Sequence, residues 1–189
     1  MELRSTDERW GGVTRLLHWA MALIIAGQIG LGWYMTDLPR GVPKLKLYAL
    51  HKSFGLTLLV LAVLRLLWRL SERRPALPPM PAWQARGAAF THVALYALLF
   101  AIPLSGWLFN SAAGFPLQWF ELVNLPALTG ANAGLKVTAK ALHEGGVTVL
   151  LIILALHSGA ALKHHFLDRD RTLASMTPGL RAPAPRRAR

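Results

Sequence analysis

The chain has 189 residues, of which 53% are hydrophobic and only 16% are charged, with a formal net charge of +12 and no cysteine. This composition is more apolar than that of an average soluble domain. The lack of cysteine excludes disulfides, thiolate metal sites, iron–sulfur clusters and covalently attached c-type haem. Any bound metal must therefore be held by His, Met or carboxylate side chains.

Four long apolar stretches separate the charged segments, and each is close to the ~20 residues that cross a hydrocarbon core. We predict membrane-spanning helices over Val13–Met35, Leu47–Leu70, Ala88–Phe109 and Ala141–Leu162. The predicted fold is therefore an all-α membrane protein, a four-transmembrane-helix bundle over residues 13–165. Residues 1–12 form an N-terminal segment, and residues 166–189 form a tail whose Pro- and Arg-rich end is predicted to be disordered.

Helix breakers mark the connections between the spans. Prolines rule out a continuous helix over Ser71–Gly87, and Pro103 predicts a kink inside span three. The longest connection, Asn110–Lys140, contains the aromatic stretch Phe115–Leu122. Such a stretch is typical of a short segment that lies in the membrane interface.

Most lysine and arginine residues precede span one, connect spans two and three, or follow span four. The positive-inside rule therefore predicts that both termini are cytoplasmic. Because these residues flank apolar spans, we expect membrane lipid, and not nucleic acid, as a partner. The predicted outer face carries Arg40, Lys44, Lys46, Lys52, Lys136 and Lys140.

Histidines inside the spans are the strongest functional signal, because ionisable groups within a membrane are costly. His143 and His157 are fourteen residues apart, so on a helix they share a face and lie about 21 Å apart along its axis. The span directions pair His143 with His51 near the outer side, and His157 with His18 near the inner side. Paired imidazoles are the axial ligands of a low-spin, electron-transferring haem. We therefore predict these four histidines as metal ligands of two b haems.

Small and basic residues near these histidines suit a flat, anionic macrocycle. Gly55 lies one turn after His51, where a small residue lets a cofactor approach; close helix packing is the alternative explanation. Haem propionates need cationic partners at the membrane edge. The candidates are Lys46, Lys52 and Lys140 outside, and Arg15, Arg65 and Arg69 inside. For Arg65 the alternative interpretation is snorkelling to the headgroups.

Each of three further histidines has more than one possible role. His92 lies at the inner level. It either competes with His18 as a haem ligand or forms a hydrogen bond with a propionate or a quinone. His164 and His165 lie at the inner end of span four, where they anchor the helix C-terminus or act near a quinone headgroup. For the whole set, the alternative is structural hydrogen bonding between helices.

An ordered set of motifs resembles the bacterial di-haem cytochrome b561 family, over about Thr14 to Met176. The motifs are Arg15-Leu16-Leu17-His18-Trp19, His51-Lys52-Ser53-Phe54-Gly55, Arg65-Leu66-Leu67-Trp68-Arg69-Leu70, Pro103-Leu104-Ser105-Gly106, His143-Glu144, Leu156-His157 and Lys163-His164-His165-Phe166. The resemblance implies a four-helix bundle in the bacterial inner membrane, with two b haems, that exchanges electrons with the quinone pool. The family includes members similar to superoxide oxidases, which pass an electron from superoxide to ubiquinone.

The predicted outer face helps to choose among functions compatible with this resemblance. A basic face concentrates small anions and raises their on-rate by ~10–10³-fold, and superoxide is a small anionic one-electron donor. We therefore expect a superoxide oxidase in which the outer haem accepts the electron, the inner haem receives it, and ubiquinone takes it. His164, His165 or His92 would relay protons to the quinone.

Two other functions remain open. The chain is alternatively a haem-b subunit of a hydrogenase or dehydrogenase complex, in which case the basic face docks a soluble redox partner. The third interpretation is a haem-free transporter or proton channel that uses the histidines as a relay.

Overall fold

The computed structural model describes residues 2–73, 75–76 and 78–183, and most of these residues are helical. The long helices are α1 (Gly12–Asp37), α2 (Val42–Leu70), α3 (Ala82–Ala112) and α4 (Ala133–Lys163). A π-helical turn (His164–Asp168) and a short helix, α5 (Thr172–Met176), follow α4. Four helices are long and apolar enough to cross a membrane, which confirms the four predicted spans.

The helices extend beyond the predicted spans because hydropathy marks only the part of a helix that crosses the hydrocarbon core. Helix α3 begins directly after Pro81, six residues before the predicted start at Ala88. Helix α4 begins at Ala133, where the side chain of Asn132 accepts a hydrogen bond from the backbone N–H of Leu135 at 2.9 Å. This is an N-cap, and it fixes the start of α4 eight residues before the predicted one.

The predicted all-α fold is incomplete, because the interfacial stretch contains a small hairpin. Strands β1 (Leu117–Trp119) and β2 (Val123–Leu125) are antiparallel, with Leu117 opposite Leu125. The turn places Phe120 and Glu121 at positive φ angles of 49° and 62°. Aromatic and β-branched residues favour this extended pairing over a helix, so the chain is mostly and not purely helical.

The chain divides into two compact units. The first unit contains Met1–Trp19, Arg65–Tyr96 and Leu150–Arg189, and the second unit contains Ala20–Leu64 and Ala97–Val149. The core of the second unit is built on Met21, Leu58 and Ala62, which are 2%, 7% and 0% exposed. The predicted disorder at the end of the tail concerns residues 184–189, which lie outside the described residues.

In the first unit, the carboxylate of Glu72 holds the N-terminal segment. It accepts hydrogen bonds from the backbone N–H and the hydroxyl of Ser5, both at 2.9 Å, and from the hydroxyl of Thr14 at 2.6 Å. Burial favours the neutral carboxyl, but these hydrogen bonds outweigh it and hold the pKa of Glu72 below its ordinary value of 4.5. The segment before α1 is therefore tied to the end of α2 by a charged acceptor.

Candidate cofactor sites

In the second unit, the structure brings His51 of α2 and His143 of α4 together. Their ring centres are 6.2 Å apart, with an angle of 77° between the ring planes. Two imidazoles that share one metal ion, with metal–nitrogen bonds of about 2 Å, have ring centres roughly 6 Å apart. The spacing therefore fits a single metal ion with both histidines as ligands.

The ring of His143 is already oriented for such a ligand role. Its Nδ1 lies 2.9 Å from the backbone carbonyl of Ile102 on α3. A carbonyl can only accept, so Nδ1 carries a proton, and in the neutral imidazole Nε2 then keeps its lone pair. Metal-binding histidines commonly donate their second N–H to such an acceptor, which fixes the tautomer and the ring orientation.

A glycine on α3 makes room for this ring. A Cβ atom at Gly106 would lie only 3.1 Å from Cε1 and Nδ1 of His143, which is tighter than an ordinary contact. A Cβ at Gly146 would similarly lie 3.0 Å from Cγ1 of Ile102. The two glycines thus allow the approach of α3 to α4 that places the Ile102 carbonyl against His143.

His51 has no comparable orienting contact within the described part of the chain, because its buried Nδ1 lacks a hydrogen-bond partner there. Its backbone carbonyl accepts a 2.8 Å hydrogen bond from the side-chain amide of Gln28 on α1. The same amide would lie 3.7 Å from a Cβ at Gly55. Gly55 therefore packs beside Gln28, and its predicted role beside a cofactor stays a prediction.

Lys52, which follows His51, anchors the hairpin region. Its ammonium donates to the side-chain oxygen of Asn110 at 3.2 Å and to the carbonyl of Pro116 at 3.1 Å. In addition, Trp119 of the hairpin donates to the hydroxyl of Thr57 at 3.1 Å. These contacts position the turn of α2 that carries His51. They also occupy Lys52, so its predicted contact with a propionate stays a prediction.

The other basic residues of the second unit differ in their hydrogen bonds, ion pairs and exposure. Lys44 donates to the carbonyls of Thr36 and Leu38 at 3.0 and 2.7 Å, near the end of α1. Lys140 forms an exposed ion pair of 3.3 Å with Glu144. The side chains of Arg40, Lys46, Lys136 and Lys140 are all exposed.

In the first unit, three imidazoles cluster where two were predicted to pair. The ring centre of His157 on α4 lies 6.2 Å from that of His18 on α1 and 5.7 Å from that of His92 on α3. Both distances are close to the spacing expected for two imidazoles on one metal ion. The predicted His18–His157 pair is therefore brought together, and His92 lies beside it.

Arg65 contacts the predicted pair directly. Its Nη2 lies 3.3 Å from Nδ1 of His18, and its Nε donates to the hydroxyl of Tyr96 at 3.2 Å. Since a guanidinium can only donate, Nδ1 of His18 accepts, and a neutral His18 carries its proton on Nε2. This tautomer is the reverse of the one found at His143.

Arg69 lies one turn further along α2. Its guanidinium is 5.8 Å from the ring centres of both Trp10 and Tyr96. A small cavity of about 20 Å³ is lined by both arginines together with Trp10, Thr14, Trp68, Glu72, Arg73, Tyr96 and Met176. Three arginines thus line one cavity, and Arg65 links it to His18, which fits the predicted binding of an anionic group there.

His164 and His165 differ in their surroundings. Nδ1 of His164 contacts the carboxylates of Asp168 and Asp170, and Lys163 pairs with Asp168 at 2.7 Å. Burial raises the pKa of Asp170, but hydrogen bonds from Thr172 and His164 outweigh it, so that pKa is lowered overall. The ring centre of His165 lies 4.9 Å from that of Phe166. His164 is thus held in an acidic cluster after α4.

Comparison with known proteins identifies the family. The sequence profile of the prokaryotic cytochrome b561 family matches residues 9–179. The chain belongs to this family. It is 38% identical over 186 residues to cytochrome b561 homolog 2 of Escherichia coli (strain K12), covering 93% of this chain and 95% of that protein.

Two further cytochrome b561 relatives are 31% identical. Cytochrome b561 homolog 1 of Escherichia coli (strain K12) aligns over 169 residues, which is 86% of this chain and 93% of the homolog. The probable superoxide oxidase CybB of Yersinia pestis aligns over 168 residues, which is 86% of this chain and 92% of that protein. Membership in this family implies haem b binding and membrane electron transfer, in a multi-pass protein of the bacterial inner membrane.

Proposed function

We propose that this cytochrome b561 is a superoxide:ubiquinone oxidoreductase with two b haems, one at His51 and His143 and one at His18 and His157. The observation that carries the proposal is the repetition of one spacing: both pairs have ring centres 6.2 Å apart. Two bis-imidazole sites on one chain favour electron transfer over a haem-free transporter. Both termini are cytoplasmic in this proposal.

Bound at each pair, haem iron would supply one-electron redox chemistry. The two imidazoles of a pair would hold the haem, and such a ligand set would favour electron transfer over oxygen binding. The Ile102 carbonyl keeps His143 in the tautomer that binds through Nε2. At the other pair, binding through Nε2 of His18 requires that Arg65 release Nδ1. Arg65 and Arg69 would then neutralise a propionate.

The electron donor in this proposal is superoxide, and the supporting feature is charge. Arg40, Lys46, Lys136 and Lys140 are exposed, and all belong to the second unit, which contains the His51–His143 pair. With the part-buried Lys44 and Lys52, the second unit has six basic residues against three acidic ones, Asp37, Glu121 and Glu144, of which Glu144 pairs with Lys140. A local excess of exposed positive charge attracts a small anion and raises its on-rate.

Stopped-flow haem reduction tests this proposal. Superoxide should reduce the purified protein, and added ubiquinone should reoxidise it. Changing Lys46, Lys136 and Lys140 together to Gln should slow reduction by superoxide at low ionic strength, and the difference should shrink as salt shortens the Debye length to ~8 Å at physiological strength. Changing the exposed Arg86, Arg171 and Arg181 to Gln removes the same charge from the first unit and should leave the rate unchanged.

Failure of this experiment has a specific meaning. If superoxide does not reduce the protein while a soluble redox protein does so rapidly, the chain is a haem-b subunit of a larger dehydrogenase or hydrogenase complex. A salt-independent rate with superoxide would contradict electrostatic steering and leave electron transfer itself intact.

A further inference from the structure

Among the predicted cofactor-binding residues, Arg15 stands out by the hydrogen bonding of its guanidinium. Its Nε is buried and, within the described residues, has no hydrogen-bond partner. The hydroxyl oxygen of Thr177 is likewise buried without a partner in that part of the chain. Polar atoms buried without partners are rare in folded proteins, and each one calls for a ligand or an ordered water.

Both residues line the same groove in the first unit. The groove has a volume of about 490 Å³ and is bordered by Gly12, Arg15, Leu16, Trp19, Thr177 and Pro178. The indole N–H of Trp19 donates to the carbonyl of Met176 at 3.0 Å, which fixes the segment after α5 against α1. The lining therefore combines two polar side chains, Arg15 and Thr177, with the apolar and aromatic side chains of Leu16, Trp19 and Pro178.

The charge of Arg15 indicates what the groove binds. A guanidinium stays charged, and burying part of it without an anion costs free energy. A neutral quinone would not supply that anion. A haem propionate would, but the cavity beside His18 already contains Arg65 and Arg69, and Arg15 does not line that cavity.

The position of the groove favours an amphiphile. Arg15 lies in the first turn of α1, at the end of a membrane-spanning helix, where lipid headgroups are found. Leu16, which follows it, is 70% exposed, and Trp19 is 37% exposed. Tryptophan is favoured at headgroup depth, where its apolar ring contacts the acyl chains.

We propose that this groove is a binding site for an anionic phospholipid. The phosphate is bound by the guanidinium of Arg15 and the hydroxyl of Thr177, and an acyl chain lies along Leu16 and Trp19. Lipid binding at this site does not depend on superoxide or quinone chemistry, so it is tested separately from the proposed function.

Native mass spectrometry of the purified full-length protein in detergent tests this site. The protein is titrated with short-chain phosphatidylglycerol, with phosphatidylcholine of the same chain length, and with inorganic phosphate. We expect one phosphatidylglycerol to bind preferentially, and Arg15→Gln to weaken that binding by about tenfold or more, the usual worth of a charge-assisted hydrogen bond. Arg86→Gln removes the same charge from an exposed position on α3 and should bind phosphatidylglycerol like the unaltered protein.

Haem content, measured on the same samples, separates this site from a propionate contact. Loss of phosphatidylglycerol binding by Arg15→Gln with both haems retained supports the lipid site. Loss of one haem assigns Arg15 to a propionate and overturns it, as does unchanged phosphatidylglycerol affinity. Equally tight binding of inorganic phosphate would identify a free-anion site instead. If Arg15→Gln does not accumulate, Thr177→Val should weaken phosphatidylglycerol severalfold, and an unchanged affinity in that variant contradicts the proposal.

Discussion

The His51–His143 pair and the His18–His157 pair have the same spacing but different surroundings. At the first pair, a backbone carbonyl fixes the tautomer of His143, and Gly106 leaves room for the ring. At the second pair, the side chain of Arg65 faces His18, and the ring centre of a third imidazole, His92, lies 5.7 Å from that of His157. In the first pair, therefore, one ring is oriented by a backbone carbonyl, whereas in the second pair the neighbouring contacts come from side chains.

The largest expected effect is the loss of one haem at a time. His51→Ala should remove mainly the haem at the first pair, and His157→Ala mainly the haem at the second, because each variant removes one of two axial ligands. Haem content and low-temperature absorption spectra of the two variants provide the measurement. If either variant kept both haems, the assignment of ligands to pairs would be wrong.

A smaller effect is expected from crowding the ring of His143. Gly106→Ala adds a Cβ only 3.1 Å from the ring, so the ring must shift relative to the Ile102 carbonyl. Losing such an orienting contact typically costs 10–100-fold in metal affinity, so we expect haem affinity at the His51–His143 pair to fall by about 10–100-fold. Competition for haem with apomyoglobin measures this affinity.

Gly145→Ala is the matched control, because a Cβ at Gly145 would meet no atom within 4 Å beyond its own turn of helix in the described part of the chain. It should retain haem like the unaltered protein. Equal haem loss in the Ala variants of Gly106 and Gly145 would contradict the role of the close approach and indicate a general effect on α3 and α4.

Arg65 should distinguish the two pairs further. Arg65→Lys keeps the charge but loses the planar guanidinium that spans His18 and Tyr96. We expect a shift in the redox midpoint of the haem at the His18–His157 pair and none at the other pair, because Arg65 belongs to the first unit. Potentiometric titration resolves the two haems, and a shift confined to the His51–His143 haem would contradict the assignment.

Acidification provides the smallest effect, and it should be limited to the first unit. The pKa of Glu72 is lowered in the folded chain, so its stabilising contribution is complete above its unfolded value of 4.5 and is lost as the pH falls through the folded value. Hydrogen exchange of residues 2–13, corrected for intrinsic rates, should show protection decreasing over that range.

Glu72→Gln should show the low protection of residues 2–13 already at neutral pH. Exchange of the hairpin residues 117–125 should not respond to this variant, since they belong to the second unit. If protection of residues 2–13 did not depend on Glu72, another contact would hold the N-terminal segment.

The sequence was sufficient to predict the four long helices and the two histidine pairs, because apolar length and helical spacing follow from chain chemistry. It did not reveal that Ile102 orients His143 or that Gln28 binds the carbonyl of His51, since these contacts join residues far apart in sequence. The helix ends at Ala82 and Ala133 were also missed, because they lie beyond the apolar spans. The aromatic stretch Phe115–Leu122 predicts an interfacial segment but not its strand pairing, because the partner strand Val123–Leu125 lies outside that stretch.

The haem-to-chain ratio of the purified protein tests the central claim most directly, because that claim is that two separate bis-imidazole sites exist on one chain. A pyridine haemochrome assay combined with quantitative amino-acid analysis gives the ratio, and acid acetone should extract all of the haem because the chain has no cysteine to bind it covalently. We expect close to two b haems per chain. A ratio of one, or a colourless protein, would contradict the presence of two separate sites.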